Sequence, residues 1–544
     1  MGDPSIVQPC ERIGFLERCP ADQESHEVDL HHNLKGNPPM KPSVLVVGGG
    51  PVGLTMAAEL ARYGVAVRIV DKAAHRSETS KALVVWPRTL ELLDRMGCGS
   101  TFVSAGHKVI AANIHSGGKR IGHVGFESVA SPHPYALMIP QSETERLLGE
   151  QLHRLGVDVE RRVEVAELRT SEEKVTSSLL HPDGTTETLE TDWLIGCDGA
   201  HSLVRHQLGM QFVGDTLLSD WILADVHLGG AALSSAELDL FWHSDGMLAL
   251  FPISPGRYRI VADMAVAKGD GDRSEPTLEE VQAILDERGP ARIRASDPVW
   301  LSRFRINERK VEDYRSGRVF LAGDAAHIHS PAGGQGMNTG MQDAYNLAWK
   351  LSMVCLGTCP SEALLTSYSD ERSPIGAQIL AQTGRATSLT LLKNPILQSL
   401  RNHIAQGILG FSFVQRRMVD SLTEVSIAYP PGPLVRKRSD HHNGPNPGER
   451  APIRSGDSPF GGGDRPRFAL CAEVDNASSR LIGLYPELLE PTPRKPYHPE
   501  AIALVRPDGY LGVVAERTAW NDLEQYLDRL KSEEACPTRS GVLP

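Results

Sequence analysis

Apolar positions along the chain follow two rhythms. Near the amino end, Val44 to Val47 form a short unbroken run, as expected of a buried parallel strand. "LTMAAELARYG" (54–64) then supplies good helix formers, with Gly64 placed to end the helix in a left-handed conformation. "AVRIV" (66–70) predicts a second strand that finishes at Asp71. A related succession returns at 317–351. "GRVFLAGDAAH" predicts a strand over 318–322, and Met337, Met341, Ala344, Ala348 and Leu351 recur at spacings of four and three, one face of a helix that begins near Gly336. Strand-like alternation marks 105–139 and 214–303, "LDLFWHSDG" and "YRIVADMAV" among it, and predicts a sheet. Helical patterns occupy 366–430, followed by the Pro/Gly-rich charged linker "YPPGPLVRKRSDHHNGPNPGER". The last segment, about 446–535, predicts a strand, a helix, a hairpin turning at Asp508–Gly509 and a closing helix.

Size and composition set the frame for these elements. A chain of 544 residues is expected to fold as two to four domains. With 40% hydrophobic and 23% charged residues the composition is that of an ordinary globular enzyme, and a net charge of -12 argues against a nucleic-acid surface. No run approaches the roughly 18 apolar residues that cross a bilayer, since 405–414 is broken by Gln406 and two glycines. The first 40 residues are polar, lack the form of a signal peptide, and are expected to be a disordered tail; His31 and His32 read as solvated there rather than as metal ligands. Cys10, Cys19, Cys98, Cys197, Cys355, Cys359, Cys471 and Cys536 show no pairing framework, which fits a reducing, cytoplasmic setting. Cys355 and Cys359 stand one turn apart on a predicted helix, a spacing too weak to claim zinc, and no metal site is expected.

Chemistry enters with the glycines. Gly48, Gly50 and Gly53 follow the first strand in G-x-G-x-x-G spacing, with Pro51 and Val52 among them opening the helix. Gly48 serves the tight turn, Gly50 the approach of backbone to a pyrophosphate, and Gly53 close packing of helix on strand. Asp71, with Lys72 after it, lies about 20 residues on, where a carboxylate accepts hydrogen bonds from a ribose. An ADP-containing cofactor is expected, and the acid disfavours a ribose phosphate. At the second turn, glycines let a flat ligand approach the backbone, and the first amides of the helix near Gly336 carry its positive end. No acid follows that helix at ribose distance, so one extended cofactor touching both turns is the economical reading.

Three segments, "GGGPVG" (48–53), "CDGAHSLVR" (197–205) and "GRVFLAGDAAHIHSPAGGQGMNTGMQDAYNLAWKL" (317–351), together resemble the FAD-dependent aromatic hydroxylases, single-component flavoprotein monooxygenases that include the phenol and 4-hydroxybenzoate hydroxylases. The resemblance is strong over 42–375 and looser beyond. It implies an α/β fold: a Rossmann-like FAD-binding domain from 41–104, 140–213 and 304–365; an interrupting β-sheet substrate domain from 105–139 and 214–303; the helical segment 366–430; and a C-terminal thioredoxin-like domain at 446–535, as in the phenol hydroxylase branch. That last domain lacks a C-x-x-C pair, Cys471 standing alone, so a structural or homodimer-contact role is expected of it.

The same resemblance assigns roles. Asp324 holds the ribityl chain, amides near Gly336, Met337 and Asn338 face the pyrimidine edge of the flavin, and Gly323 and Gly334 count with them among the cofactor-binding residues. Gln141 contacts the flavin side, and Arg76, Lys81 and Arg88 fall where the family places basic contacts; Lys81 stands at an arginine position and cannot reproduce a bidentate clamp. Asp198 and Gly199 serve the FAD and the passing NADPH. NADPH (or NADH) would reduce the flavin, molecular oxygen would add to give a flavin hydroperoxide, and a small aromatic substrate, phenolic or polyketide-like, would take one oxygen atom. The carbonyl of Pro331 lies near the substrate hydroxyl, a base is sought among His243, Arg257 and Tyr258, and His327 is expected to be structural. Baeyer-Villiger oxidation or epoxidation is the rival chemistry, and a flavin-containing binding protein without turnover the rival class.

Overall fold

The computed structural model describes residues 42–78, 81–264, 274–392, 394–436, 444–454 and 456–532. The expectations for the 1–40 tail, with His31, His32, Cys10 and Cys19, and for Cys536 lie outside them. Val44–Val47 sits centrally in a six-stranded sheet ordered Arg315–Ser316, Val319–Leu321, Trp193–Gly196, Val44–Val47, Val67–Asp71, Val159–Arg161. Its pairs are parallel except at the Arg315–Ser316 edge. Burial on both faces explains why these strands read as unbroken apolar runs. Pro51 opens the Pro51–Arg62 helix where its missing N–H costs nothing.

The middle of the chain forms an eight-stranded sheet, ordered His327–Ile328, Arg294–Lys310, Val213–Gly229, Arg257–Met264, Gly246–Ser254, Glu237–His243, Ala111–Ser116, Lys119–Gly125. One face buries Ile222, Ala224, Tyr258, Ile260 and Ala262 with Val281, Ile284 and Leu285 of the Leu278–Arg288 helix, which a Thr277/Glu280 capping box starts. The other face presents Arg259, bound to Asp225 through two 2.7 Å hydrogen bonds and donating to the carbonyl of Lys81 at 3.0 Å. That bond pins the sheet to the cofactor half. Arg294–Lys310 runs on past residue 303 and pairs with His327–Ile328, so one strand belongs to both halves. Pro298, which has no N–H to give, falls where the register shifts between Asp225 and His227. A meander of Glu164–Thr170, Val175–Leu180 and Thr186–Thr191 was not anticipated; it lies inside the 140–213 segment.

The terminal part follows the expected order: Ala469–Cys471, the Asn476–Leu484 helix, Ala501–Val505, Leu511–Glu516 and the Trp520–Lys531 helix. A fully buried polar network joins it to the Gly336–Cys355 and Glu362–Thr390 helices. Arg506 donates to Glu371 at 2.6 and 2.8 Å and to Asp508 at 2.6 and 3.1 Å. Lys350 donates to Glu371 at 2.7 Å and Trp349 to Asp508 at 3.1 Å. Burial alone would raise Glu371, but the charges of Arg506 and Lys350 overcome it and hold the carboxyl at about 2. Burial lowers Lys350 to about 8. Cys359 lies beyond the helix that ends at Cys355, so the two thiols share no helical face. Burial pushes these thiols and that of Cys471 up to about 12, which makes them poor nucleophiles and ligands.

Candidate cofactor cleft

At the first turn the three glycines divide their work. Gly48 has φ +109°, and a Cβ there would lie 2.4 Å from the carbonyl oxygen of Cys197; one on Gly53 would lie 1.8 Å from the carbonyl oxygen of Gly48. A Cβ on Gly50 would meet nothing within 4 Å. Gly48 and Gly53 are thus required by the protein's own packing, and Gly50 faces open space at the helix mouth. No side chain caps the Pro51–Arg62 helix, leaving the amides of Val52 and Gly53 to an anion. Asp71 is held at the strand end by the N–H of Gly49 at 2.6 Å, the N–H of Ala73 at 2.7 Å and Arg161 at 3.3 Å. Lys72 beside it is exposed.

The second turn meets the first. A Cβ on Gly323 would lie 2.8 Å from the Val52 side chain, and one on Gly340 would lie 2.8 Å from Val52 and 3.0 Å from the Gly323 Cα. Only bare backbone allows this contact, and it sets the first turns of the two helices side by side. The Asp324 side chain is exposed, yet enough protein surrounds it that burial raises its carboxyl, with His327 and Lys81 opposing. Deep but open to solvent is the position of a ligand-facing group. Asp198 accepts from the N–H of Val204 at 3.2 Å through one oxygen, and its other oxygen is buried without a partner. Gly199 follows it, and Ser202 caps the Leu203–Gln207 helix.

The long helix starts at Gly336 with no capping side chain, because Gln335 donates instead to the carbonyls of Ser421 and Leu422. The amides of Gly336 and Met337 face outward from its positive end. The side chain of Asn338 has a separate task. It is fully buried, accepting from the Trp86 N–H at 2.9 Å and donating to the carbonyls of Val84 at 2.9 Å and Gly334 at 3.0 Å. It is a strut that fixes the glycine-rich loop, and only its backbone amide is free for a ligand. Gln141, first residue of its helix, accepts from Ala82 N–H at 3.2 Å and donates to Glu145 at 2.9 Å. The Pro331 carbonyl accepts from the Gly334 N–H at 2.9 Å, so one of its lone pairs closes a turn.

Four expectations are corrected. Arg88 is buried away from the cleft, donating to Glu91 at 2.9 Å and to the Asp508 carbonyl at 2.6 Å, because its helix face packs on the terminal part. Tyr258 points into the core beneath the Leu278–Arg288 helix, the opposite sheet face from Arg259, and burial raises its phenol. Arg257 starts an interior strand and donates to the Asp297 carbonyl at 2.7 Å in a solvent-exposed bond. His243 ends its strand at a turn where its ring, Asp245 and Glu287 bring ligand atoms within 4.8 Å of one another, on the side of the sheet that the Leu278–Arg288 helix covers. None of these three is placed to act as a base at the cleft.

Several residues of the site had no sequence signal. Asp343 collects the Gly323 N–H at 3.1 Å, His327 at 2.8 Å and Arg372 at 2.7 Å, all buried. His327 is therefore structural, as expected, and its ring stacks between Tyr314 and His329. The His329 Nδ1 is 2.9 Å from the Ser330 carbonyl, its Nε2 is buried without a partner, and burial lowers the ring to about 4, so it is neutral at pH 7. Glu424, at φ +62°, accepts from the Thr339 hydroxyl at 2.8 Å and from the Gln342 amide.

Glu424 gives a pH prediction. Burial raises its carboxyl from 4.5 to about 7. The folded chain therefore holds this proton more tightly than the unfolded one, and stability falls as pH rises from 4.5 through 7. At ~1.4 kcal/mol per pH unit the change totals about 3 kcal/mol. Glu424→Gln keeps an acceptor for Thr339 and, after a flip of the Gln342 amide, gives a donor to its unpartnered Oε1. Because His329, lowered by burial, adds a slope of opposite sign, the readout is the difference between variant and parent. Urea unfolding at pH 5 and pH 8 is expected to show Glu424→Gln gaining stability on the parent at the higher pH, and a difference that does not change with pH refutes the assignment.

Bare backbone at both helix mouths, Asp71 at the end of the second strand, the exposed carboxyl of Asp324 and the orphaned oxygen of Asp198 fit an extended dinucleotide. A family model described as an FAD binding domain matches residues 41–383. The chain is 36% identical over 535 residues to 6-methylpretetramide 4-monooxygenase of Streptomyces rimosus, covering 90% of this chain and 93% of that one. It is 32% identical to pentachlorophenol 4-monooxygenase of Sphingobium chlorophenolicum, over 63% of each. Among solved structures, the anhydrotetracycline hydroxylase OxyS of Streptomyces rimosus superposes with a TM-score of 0.74 at 31% identity, over 91% of this chain and all of that one. Among the described residues no helix is long and apolar enough to cross a membrane. Glycine turns that converge on one cleft, a matching family model over more than half the length and likeness to monooxygenases across nearly all of it make this chain a member of the FAD-dependent aromatic hydroxylase family.

Proposed function

We propose that the chain hydroxylates a phenolic, fused-ring substrate of polyketide type, using electrons from NADPH or NADH. One observation carries this reading: the likeness to 6-methylpretetramide 4-monooxygenase is not confined to the cofactor half but runs through the eight-stranded sheet and the terminal part, 90% of the chain. When bound, FAD supplies the activation of oxygen. The protein's task is placement. Amides of Gly336, Met337 and Asn338 would favour negative charge on the bound ring by ~0.3–2 kcal/mol. Val52 and Gly53 would hold the pyrophosphate, Asp71 a ribose, and Asp324 the chain between. The sheet, pinned by Arg259 to the Lys81 carbonyl, covers the cleft and keeps water from the reacting atoms.

The test is to purify the chain with its yellow cofactor and offer it phenols of one to four fused rings with NADPH or NADH under labelled oxygen. Accelerated nicotinamide oxidation with one labelled oxygen on an aromatic carbon is expected for the larger phenols. A ring-expanded ester would assign Baeyer-Villiger chemistry instead, and ligand binding without oxygen uptake would end the enzymatic reading.

A further inference from the structure

Where the terminal part meets the cofactor half, four arginines face two glutamates in the interior. Glu59 is held by Arg62 at 2.9 Å and by Arg95; Glu91 is held by Arg88 at 2.9 Å and by Arg450 at 3.0 Å. All six side chains are less than a tenth exposed. A guanidinium does not shed its proton in a protein, so the cluster keeps an excess of two positive charges. Among the described residues no further carboxylate lies within ion-pair distance of these arginines. That of Asp508 is taken by Arg506, in a network whose own charges balance, and Asp457 stands exposed without an ion pair. The ring faces of Tyr510 and Tyr345, 4.9 Å from the Arg88 and Arg95 guanidinium carbons, attract the cations but carry no charge.

A cavity of about 30 Å³ lies against the cluster, lined by Arg88 and Arg95 together with Glu91, Leu92, Phe460 and Gly509. Arg88 spends its outer nitrogens on Glu91 and on the Asp508 carbonyl at 2.6 Å, and Arg95 spends its own on Glu59 and on the Pro507 carbonyl at 2.6 Å. The Nε of each is buried without an acceptor. The geometry points to a halide ion, chloride above all, bound in this cavity by the two Nε–H groups. Two unmet donors and two uncompensated charges beside one void call for an anion; water satisfies the donors but leaves the charge. The volume sets the size, since ~10–15 Å³ accommodates one water-sized sphere: a monatomic ion fits and a phosphate does not. The same arginines hold the carbonyls of Pro507 and Asp508, so the ion fastens the turn of the terminal hairpin to the Pro87–Arg95 helix.

Thermal melts of the FAD-loaded full chain in potassium chloride and in potassium gluconate of equal ionic strength test this. The parent is expected to melt ~2–4 °C higher in about 0.15 M chloride, and bromide to replace chloride. Arg95→Gln, which removes one Nε donor and one excess charge, is expected to lose that gain whatever its own melting midpoint. Should this variant not fold, parent crystals soaked in bromide decide the matter, with an anomalous peak expected within hydrogen-bond reach of both Nε atoms. Equal melting of the parent in the two salts, an undiminished gain in Arg95→Gln, or bromide-soaked crystals with no peak in this cavity overturns the inference and leaves the void to water.

Discussion

Gly50→Ala is expected to leave the apoprotein as stable as the parent, within about 0.5 kcal/mol, yet to weaken FAD binding by ~10–100-fold, about 1.4–3 kcal/mol. The reason is that a methyl group at 50 meets no protein atom within 4 Å and projects into the space at the helix mouth. Gly53→Ala is expected to behave oppositely. Its methyl would lie 1.8 Å from the Gly48 carbonyl oxygen, so the strand-helix junction must shift and the fold itself loses ~1–3 kcal/mol before any ligand is considered. Thermal melts of the two apoproteins, together with flavin titration followed by fluorescence quenching, separate the cases. Unaltered FAD affinity in Gly50→Ala would remove that glycine from the cofactor site.

The largest loss of stability is expected from Arg506→Leu. The guanidinium is fully buried, binds two carboxylates in bidentate fashion and lies over the rings of Trp349 and Tyr429 at 5.4 and 5.0 Å. Removing it leaves Glu371 and Asp508 in the interior with Lys350 as their remaining charge partner, a change expected to cost ~3–5 kcal/mol. Arg506→Lys should recover part of this, because an ammonium keeps the charge and cannot reach both carboxylates at once. Denaturant unfolding of the FAD-loaded proteins reads the difference. A cost below about 1 kcal/mol would show that the network is spectator to stability.

What the sequence made legible was local. Gly48, Gly50, Gly53 and Asp71 lie within one strand-turn-helix-strand unit, and Gly323 to Asn338 within one loop, so spacing alone carries their geometry. Arg88 and the proposed base residues failed for a different reason. Whether a strand residue faces the cleft or the core is a matter of parity, and parity on the central sheet is set by pairing with strands tens of residues away: Tyr258 opposes Val226 and packs inward, while its neighbour Arg259 reaches Lys81. Asp343, His327 and Arg372 meet from positions 16 and 29 apart on separate elements, and Glu424 reaches Thr339 from 85 residues downstream. Buried polar partners of this kind leave no periodic trace. Arg88 was drawn to the cofactor by resemblance, but the terminal part, whose contacts no local pattern specifies, holds it.

Arg294–Lys310 runs along Val213–Gly229 in the eight-stranded sheet and at its far end pairs with His327–Ile328, immediately before the loop that leads to Gly336. Anyone grafting a relative's counterpart of the eight-stranded sheet onto this scaffold would therefore cut a continuous strand by splicing near residue 303. A chimera spliced beyond Lys310, with the donor's own counterparts of His327 and Ile328, keeps that ladder whole. Substrate preference and the shape of the flavin-side loop should then travel together as one inherited unit.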